Sequence, residues 1–230
     1  MRTKSLFHFT KKLETLFLII ENGFWPRISF EDISWVGHKD LYGNPMVCFC
    51  DISISKLTDH TSFYGQYGIG MTREWGIRNG LNPLMYIANS SALSVSLNNL
   101  MSNVNDGEKA DTMITLLHTK PLSGRMVIND KSIEKNFYEE CEWRYLDTST
   151  GGVFHSIIKE KQEIEIENQK TLDNLLKFEP SDIRYLLVDK EDDVIPLIDF
   201  INSKLNGFSQ NELKILTTKI IILGEIRKDL

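Results

Sequence analysis

The segment Phe137 to Leu146 constrains this chain most, because Cys141, Trp143 and Tyr145 alternate along it with Glu140, Glu142 and Arg144. A period of two belongs to a β-strand, whose successive side chains point to opposite faces. The pattern predicts a strand with an aromatic face on a core and a charged face turned away from it. A second strand is expected at Leu6-Phe7-His8-Phe9, and Lys11 to Asn22 reads as a helix with Leu13, Leu16, Phe17 and Ile20 on one stripe. Thr10 is placed to cap that helix through its hydroxyl, and Gly23 to end it.

Other segments follow the same logic. Phe24 to Gly43 mixes Pro, Gly and acids among aromatics and reads as an irregular segment with at most a short strand, closer to a lid or binding loop than to a scaffold. Pro45 to Cys50 is expected to be a buried strand, and Asp51 to His60 a connector. In Tyr64-Gly65-Gln66-Tyr67-Gly68-Ile69-Gly70-Met71 the glycines alternate as along a strand that another backbone or ring approaches closely. Thr72 should cap a short helix that Asn79-Gly80 ends. Further strands are expected at Leu84 to Ala88, Ile183 to Val188 and Ile220 to Leu223. Helices are expected at Ser90 to Val104, with Leu93, Leu97, Leu100 and Met101 on one face and Asn105-Asp106-Gly107 closing it, and at Asp192 to Leu205. Met113 to His118 fits either type, and the charged run Lys159 to Lys170 reads as an exposed connection. Strands and helices without regular alternation indicate an α+β fold with a split mixed or antiparallel β core flanked by helices.

With 230 residues, 41% of them hydrophobic and 25% charged, the chain can bury a real core and is neither disordered nor fibrous by composition. Its net charge of -6 opposes nonspecific capture by nucleic acid or anionic lipid. The apolar run Leu16 to Ile20 is far short of the roughly 20 residues that cross a bilayer, charged Lys11, Lys12 and Glu14 precede it and no small-residue cleavage site follows it, so neither a signal peptide nor membrane contact is expected and a cytoplasmic protein is. Cys48, Cys50 and Cys141 are odd in number and lack metal or redox spacing, which points to packed thiols in a reducing compartment. His38, His60, His118 and His155 are scattered without ligand spacing, and no metal is expected.

Three places hold residue types that do chemistry. Glu140 and Glu142, about 7 Å apart if they lie two positions apart on one strand face, can divide labour between stabilising a cationic carbon and orienting a nucleophile. Arg144 on that face favours an ionised Glu142; the plainer alternative is a solvated ion pair. His8 on an apolar strand can donate to a hydroxyl or phosphate, or be a satisfied core histidine. The Tyr64 to Gly70 run has no phosphate-loop ending, yet a tyrosine beside glycines can stack on a flat ring; the neighbouring Arg73, Glu74 and Trp75 either serve that site or simply pack and pair.

Taken together, Phe7-His8-Phe9-Thr10 with its helix to Gly23, Phe49-Cys50-Asp51-Ile52, the long phrase from Tyr64 to Gly76, Asn82-Pro83 and Glu140-Cys141-Glu142-Trp143-Arg144 resemble the AbiGi-type abortive-infection proteins, phage-resistance antitoxins. Asp182-Ile183-Arg184-Tyr185 and the closing Ile226-Arg227-Lys228-Asp229 fit the same family. A more distant likeness is to ADP-ribosyltransferases of the His-Tyr-Glu type. That likeness implies a core of residues 1–158 that takes NAD as substrate, with 171–230 as an α/β portion of the same single domain. It implies that His8, Phe9, Thr10, Tyr64, Tyr67 and Arg73 hold NAD. Tyr64 or Tyr67 would stack on nicotinamide, Glu142 would stabilise the ribosyl cation, and Glu140 would complete a Glu-x-Glu pair. Phe9 stands where many members have Gly. The resemblances imply an antiphage protein whose partners are a toxin or effector protein and a protein or nucleic-acid acceptor. They leave open a non-catalytic module that binds a nucleotide signal or the toxin.

Overall fold

A computed structural model of the chain describes residues 3–37, 39–56, 61, 64–103, 109–128, 131–158 and 160–229. In chain order the first half runs β1 (Ser5–Thr10), α1 (Leu13–Asn22), β2 (Arg27–Asp32), β3 (Leu41–Cys50), β4 (Tyr67–Thr72), α2 (Arg73–Arg78), β5 (Asn82–Pro83), β6 (Met85–Ile87), α3 (Ala92–Ser102) and α4 (Lys109–Leu117). Then come β7 (Thr119–Pro121), β8 (Ser123–Ile128), β9 (Lys131–Asn136), β10 (Glu142–Leu146), β11 (Val153–Phe154), α5 (Lys161–Gln169), β12 (Ile183–Val188), α6 (Val194–Lys204), α7 (Gln210–Thr217), β13 (Ile220–Ile222) and α8 (Leu223–Asp229). The order is α+β, as the irregular sequence pattern indicates. The elements group into two compact units, one of Met1–Trp25, Cys48–Gly80 and Leu175–Leu230, the other of Pro26–Val47 and Leu81–Asn174.

The first unit is organised around β4. It pairs antiparallel with β1 from Ser5↔Thr72 to Thr10↔Tyr67, and antiparallel with β12 on its other side, where the register shifts between Ile183 and Tyr185. β13 adds in parallel to β12, and Phe7 faces Cys50 at the end of β3. The alternating glycines of β4 have the expected reason: a Cβ at Gly70 would lie 2.8 Å from the Phe7 ring and 3.1 Å from Tyr185. Those two rings stack on each other at 5.8 Å. Helix α1 buries Leu16, Ile19 and Ile20, and each such side chain removed from water stabilises the fold by about 1.5–3 kcal/mol. Gly23 ends it with φ 92° and ψ 177°, a conformation only glycine adopts readily. Trp75, fully buried on α2, meets Phe24, Phe49 and Phe178 and donates its indole N–H to the Lys177 carbonyl at 3.0 Å.

In the second unit the part of β3 up to Val47 is the strand the others pair with. β2 pairs with it antiparallel from Arg27↔Met46 to Asp32↔Leu41, β11 pairs at Gly43 and Tyr42, and β10 lies beside it and continues to β5. β6 and β7 are parallel, which requires a crossover, and α3 and α4 supply it. β8 and β9 form a separate antiparallel hairpin.

Several expectations need correction. Thr10 ends β1 opposite Tyr67 and does not cap α1, whose N-cap is Lys12 with no side-chain bond. The stretch from Phe24 to Gly43 is not an irregular lid: Ile28 and Phe30 alternate with Arg27, Ser29 and Glu31 in a full strand of the scaffold. The Lys159 to Lys170 run is mostly helix α5, anchored by buried Asn168, which accepts the Ile28 N–H at 2.7 Å. Met113 to His118 resolves as the end of helix α4. On α3 only Leu97 and Met101 are buried, while Leu93 and Leu100 face out. Cys50 is buried and Cys48 half-buried. His38, His60 and the expected helix stop at Asn105-Asp106-Gly107 lie outside the described residues.

Candidate functional site

The strand read from Phe137 to Leu146 begins only at Glu142. Phe137–Glu140 is a 3-10 turn, Asn136 accepts the Tyr138 N–H to start it, and Cys141 follows in the left-handed region at φ 45° and ψ 48°. That kink puts Glu140 and Glu142 on different local backbones, so the strand spacing does not set their separation. It also inverts the expected faces: Glu142 and Arg144 are buried, while Trp143 and Tyr145 are half-buried.

A buried ionic network explains the inversion. Arg144, with no exposed surface, donates from Nε at 2.9 Å and Nη2 at 2.7 Å to the same oxygen of Glu142. Its Nη2 also reaches Glu31 at 3.1 Å, and its Nη1 donates to the Leu117 carbonyl at 2.6 Å, at the negative end of α4. Lys120 on β7 places its ammonium 2.8 Å from Glu140 Oε2 and 3.1 Å from Glu142 Oε2. Lys135 on β9 holds the other Glu140 oxygen at 2.7 Å. Three acids, Glu31, Glu140 and Glu142, thus meet three cations, Lys120, Lys135 and Arg144. Both oxygens of Glu140 and both of Glu142 face a cation.

The electrostatics follow from burial. Burial alone would lower Lys120, but the carboxylates of Glu142, Glu31 and Glu140 outweigh it and hold the ammonium well above the ordinary lysine value. Tyr86 accepts the Glu142 N–H at 2.8 Å; burial pushes its phenol far above the usual range, and the two carboxylates add to that push. Lys120 is therefore kept charged and Tyr86 neutral at neutral pH. Such a network resists loss of one partner, since an orphaned buried charge costs about 3–5 kcal/mol. Lys120, Lys135, Glu31 and Tyr86 were not legible as members, because they come from four separate elements without a shared motif.

The remaining candidate residues lie in the first unit. His8 is half-buried on β1; its Nδ1 donates to the Cys48 carbonyl at 2.8 Å, and its ring sits against Phe24 at 5.3 Å and Phe49 at 5.5 Å. Desolvation lowers its pKa, with the Cys48 bond as a partial offset, so the ring is neutral. Phe9 stacks on Phe7 at 6.2 Å, and Thr10 pairs with Tyr67. Tyr67 donates to Asp193 at 3.3 Å, and Tyr64 is half-buried. Arg73 forms an ion pair with Asp51 at 2.6 Å and donates to the Thr3 carbonyl, while Asp51 accepts the Thr3 hydroxyl. The unit brings together His8, Phe9, Thr10 and Tyr67 on paired strands, and Arg73 one residue beyond β4. Glu140 and Glu142 belong to the other unit. Among the described residues no group of three or more His, Cys, Asp or Glu is placed to hold a metal ion, and no helix is long and apolar enough to cross a membrane.

Fold and site together define an α+β protein of two units whose acidic motif is tied into an internal ion-pair network. Residues 22–189 match the family of abortive phage resistance proteins AbiGi, antitoxin. The chain is also 31% identical to the abortive phage resistance protein AbiGi of Lactococcus lactis subsp. cremoris, across 80% of this chain and 88% of that one. No solved structure matches. The chain belongs to the AbiGi family, and its setting is defence against phage.

Proposed function

We propose that this protein is the antitoxin of an abortive-infection pair, and that it restrains a toxin partner by binding it. The family description as an antitoxin supports a toxin partner. The observation that carries the non-catalytic reading is the engagement of Glu140 and Glu142: each of their oxygens already meets Lys120, Lys135 or Arg144. A carboxylate that stabilises a developing cation in a transition state must be preorganised toward that cation. These two are preorganised toward the protein's own.

NAD-dependent ADP-ribose transfer is the second reading, favoured by the occurrence of His8 within the first strand and Glu142 at the start of a late one. It requires Glu142 to release Lys120 or Arg144 when NAD enters.

Co-expression with each protein encoded beside it tests the first reading. Growth arrest caused by one neighbour should be relieved by this chain, and the two proteins should elute as one complex. Relief without a complex, accompanied by modification of the neighbour, would move the account to the transferase reading.

A further inference from the structure

We propose that Arg184 and Lys219 form an anion site in the first unit that takes a phosphate group. Three observations converge there. The first is the irregularity of β12, where Ile183 faces Met71, Tyr185 faces Gly70, and Arg184 is the extra residue of a bulge. Bulges re-aim a side chain and recur beside functional sites.

The second is the state of Arg184 itself. Its guanidinium lies 5.8 Å from the centre of the Tyr185 ring, and its Nε is shut off from water with no hydrogen-bond acceptor among the described residues. No carboxylate among those residues forms an ion pair with it, although the chain carries 32 acids against 26 basic residues. A buried donor left unsatisfied is costly and calls for an explanation.

The third is the second cation. Lys219, at the entry to β13, donates its ammonium to the carbonyls of Pro180 at 2.9 Å and Ile183 at 2.5 Å, which fixes it one residue from the bulge. The nearby acid, Asp182, is already engaged by Arg78 at 2.9 Å. Burial lowers the Lys219 ammonium and the charge of Arg184 lowers it further, with Asp182 as a partial offset. Two cations are thus held together at an energetic cost that a bound anion would relieve. A planar guanidinium and an ammonium close enough to repel each other suit a doubly charged tetrahedral anion better than a single carboxylate.

The test is the thermal stability of the full chain titrated with inorganic phosphate at constant ionic strength, with adenosine 5′-monophosphate in parallel. The wild type should gain stability saturably. Arg184→Gln should need about tenfold more phosphate or greater, as expected for loss of one charge-assisted contact. Lys190→Gln removes a cation from an exposed pair elsewhere in the unit and should respond as the wild type. If Arg184→Gln does not fold, Arg184→Lys keeps the charge without the fork and should still bind more weakly. Half-saturation at lower concentration of the mononucleotide than of phosphate would make the phosphate part of a nucleotide; equal values would assign the site to the free anion. A non-saturable response, or equal responses in wild type and Arg184→Gln, would overturn the proposal.

Discussion

Arg144 grips Glu142 with two donors on one carboxylate oxygen, Nε at 2.9 Å and Nη2 at 2.7 Å, two positions apart on β10 and both out of water. A sequence motif that reads as an exposed acidic pair is in this way the centre of an interior.

Arg144→Met should destabilise the chain by about 3–5 kcal/mol, because it removes the buried cation that Glu142 and Glu31 share. Urea unfolding followed by circular dichroism measures this. Glu142→Gln added to Arg144→Met should recover part of the loss, since it removes a buried carboxylate that then keeps only Lys120 as a partner. A cost under about 1 kcal/mol for Arg144→Met, the range of exposed pairs, would contradict a buried network.

The lowered pKa of His8 makes stability depend on pH in a defined direction. The folded protein holds the ring neutral, so the unfolded chain binds more protons as pH falls through the ordinary value of 6.5. Stability from this group is complete above 6.5 and is lost as pH drops from there toward the lower folded value. Unfolding free energies between pH 8 and 5.5 should therefore fall for the wild type and fall less for His8→Gln. Identical profiles would show that His8 is not buried neutral.

Gly23→Ala should cost about 1–3 kcal/mol, because φ 92° with ψ 177° is nearly closed to other residues. The added Cβ would also stand 2.5 Å from the Leu176 carbonyl oxygen. A melting temperature unchanged by this substitution would mean that the turn after α1 can relax.

Thr72→Ala removes the hydroxyl that accepts the Trp75 N–H at 3.2 Å and should cost about 1 kcal/mol, read from the same unfolding curves. Thr10→Ala should cost less, because Thr10 caps nothing. The reverse order would restore Thr10 as a capping residue.

These two threonines also show what the sequence reveals and what it hides. Thr72 precedes a short helix directly, and its role is local, so its position alone identifies it. Thr10 precedes α1 by three residues, and its place is decided by pairing with Tyr67 across β4, which no local pattern encodes. The strands of β4 and β12 and the helices α1 and α6 were legible because apolar periodicity repeats over one or two turns or pleats. β2 was obscured by Pro26 and three acids, and α5 by charge, since a helix anchored at one buried Asn168 leaves little apolar signal. The pairing of Glu142 with Arg144 could be read from their spacing. Their burial could not, because it depends on Lys120, Lys135 and Glu31 arriving from distant parts of the chain.

Glu142 is ion-paired to Arg144 and Lys120 inside the protein, and the proposed non-catalytic role follows from that engagement. Nicotinamide release from NAD tests that role most directly, using the wild type and Glu142→Gln, each alone and with extract of phage-infected cells, after both are shown to be folded. The account predicts no release above background from either protein. Release by the wild type that Glu142→Gln abolishes would contradict it and establish Glu142 as a catalytic carboxylate.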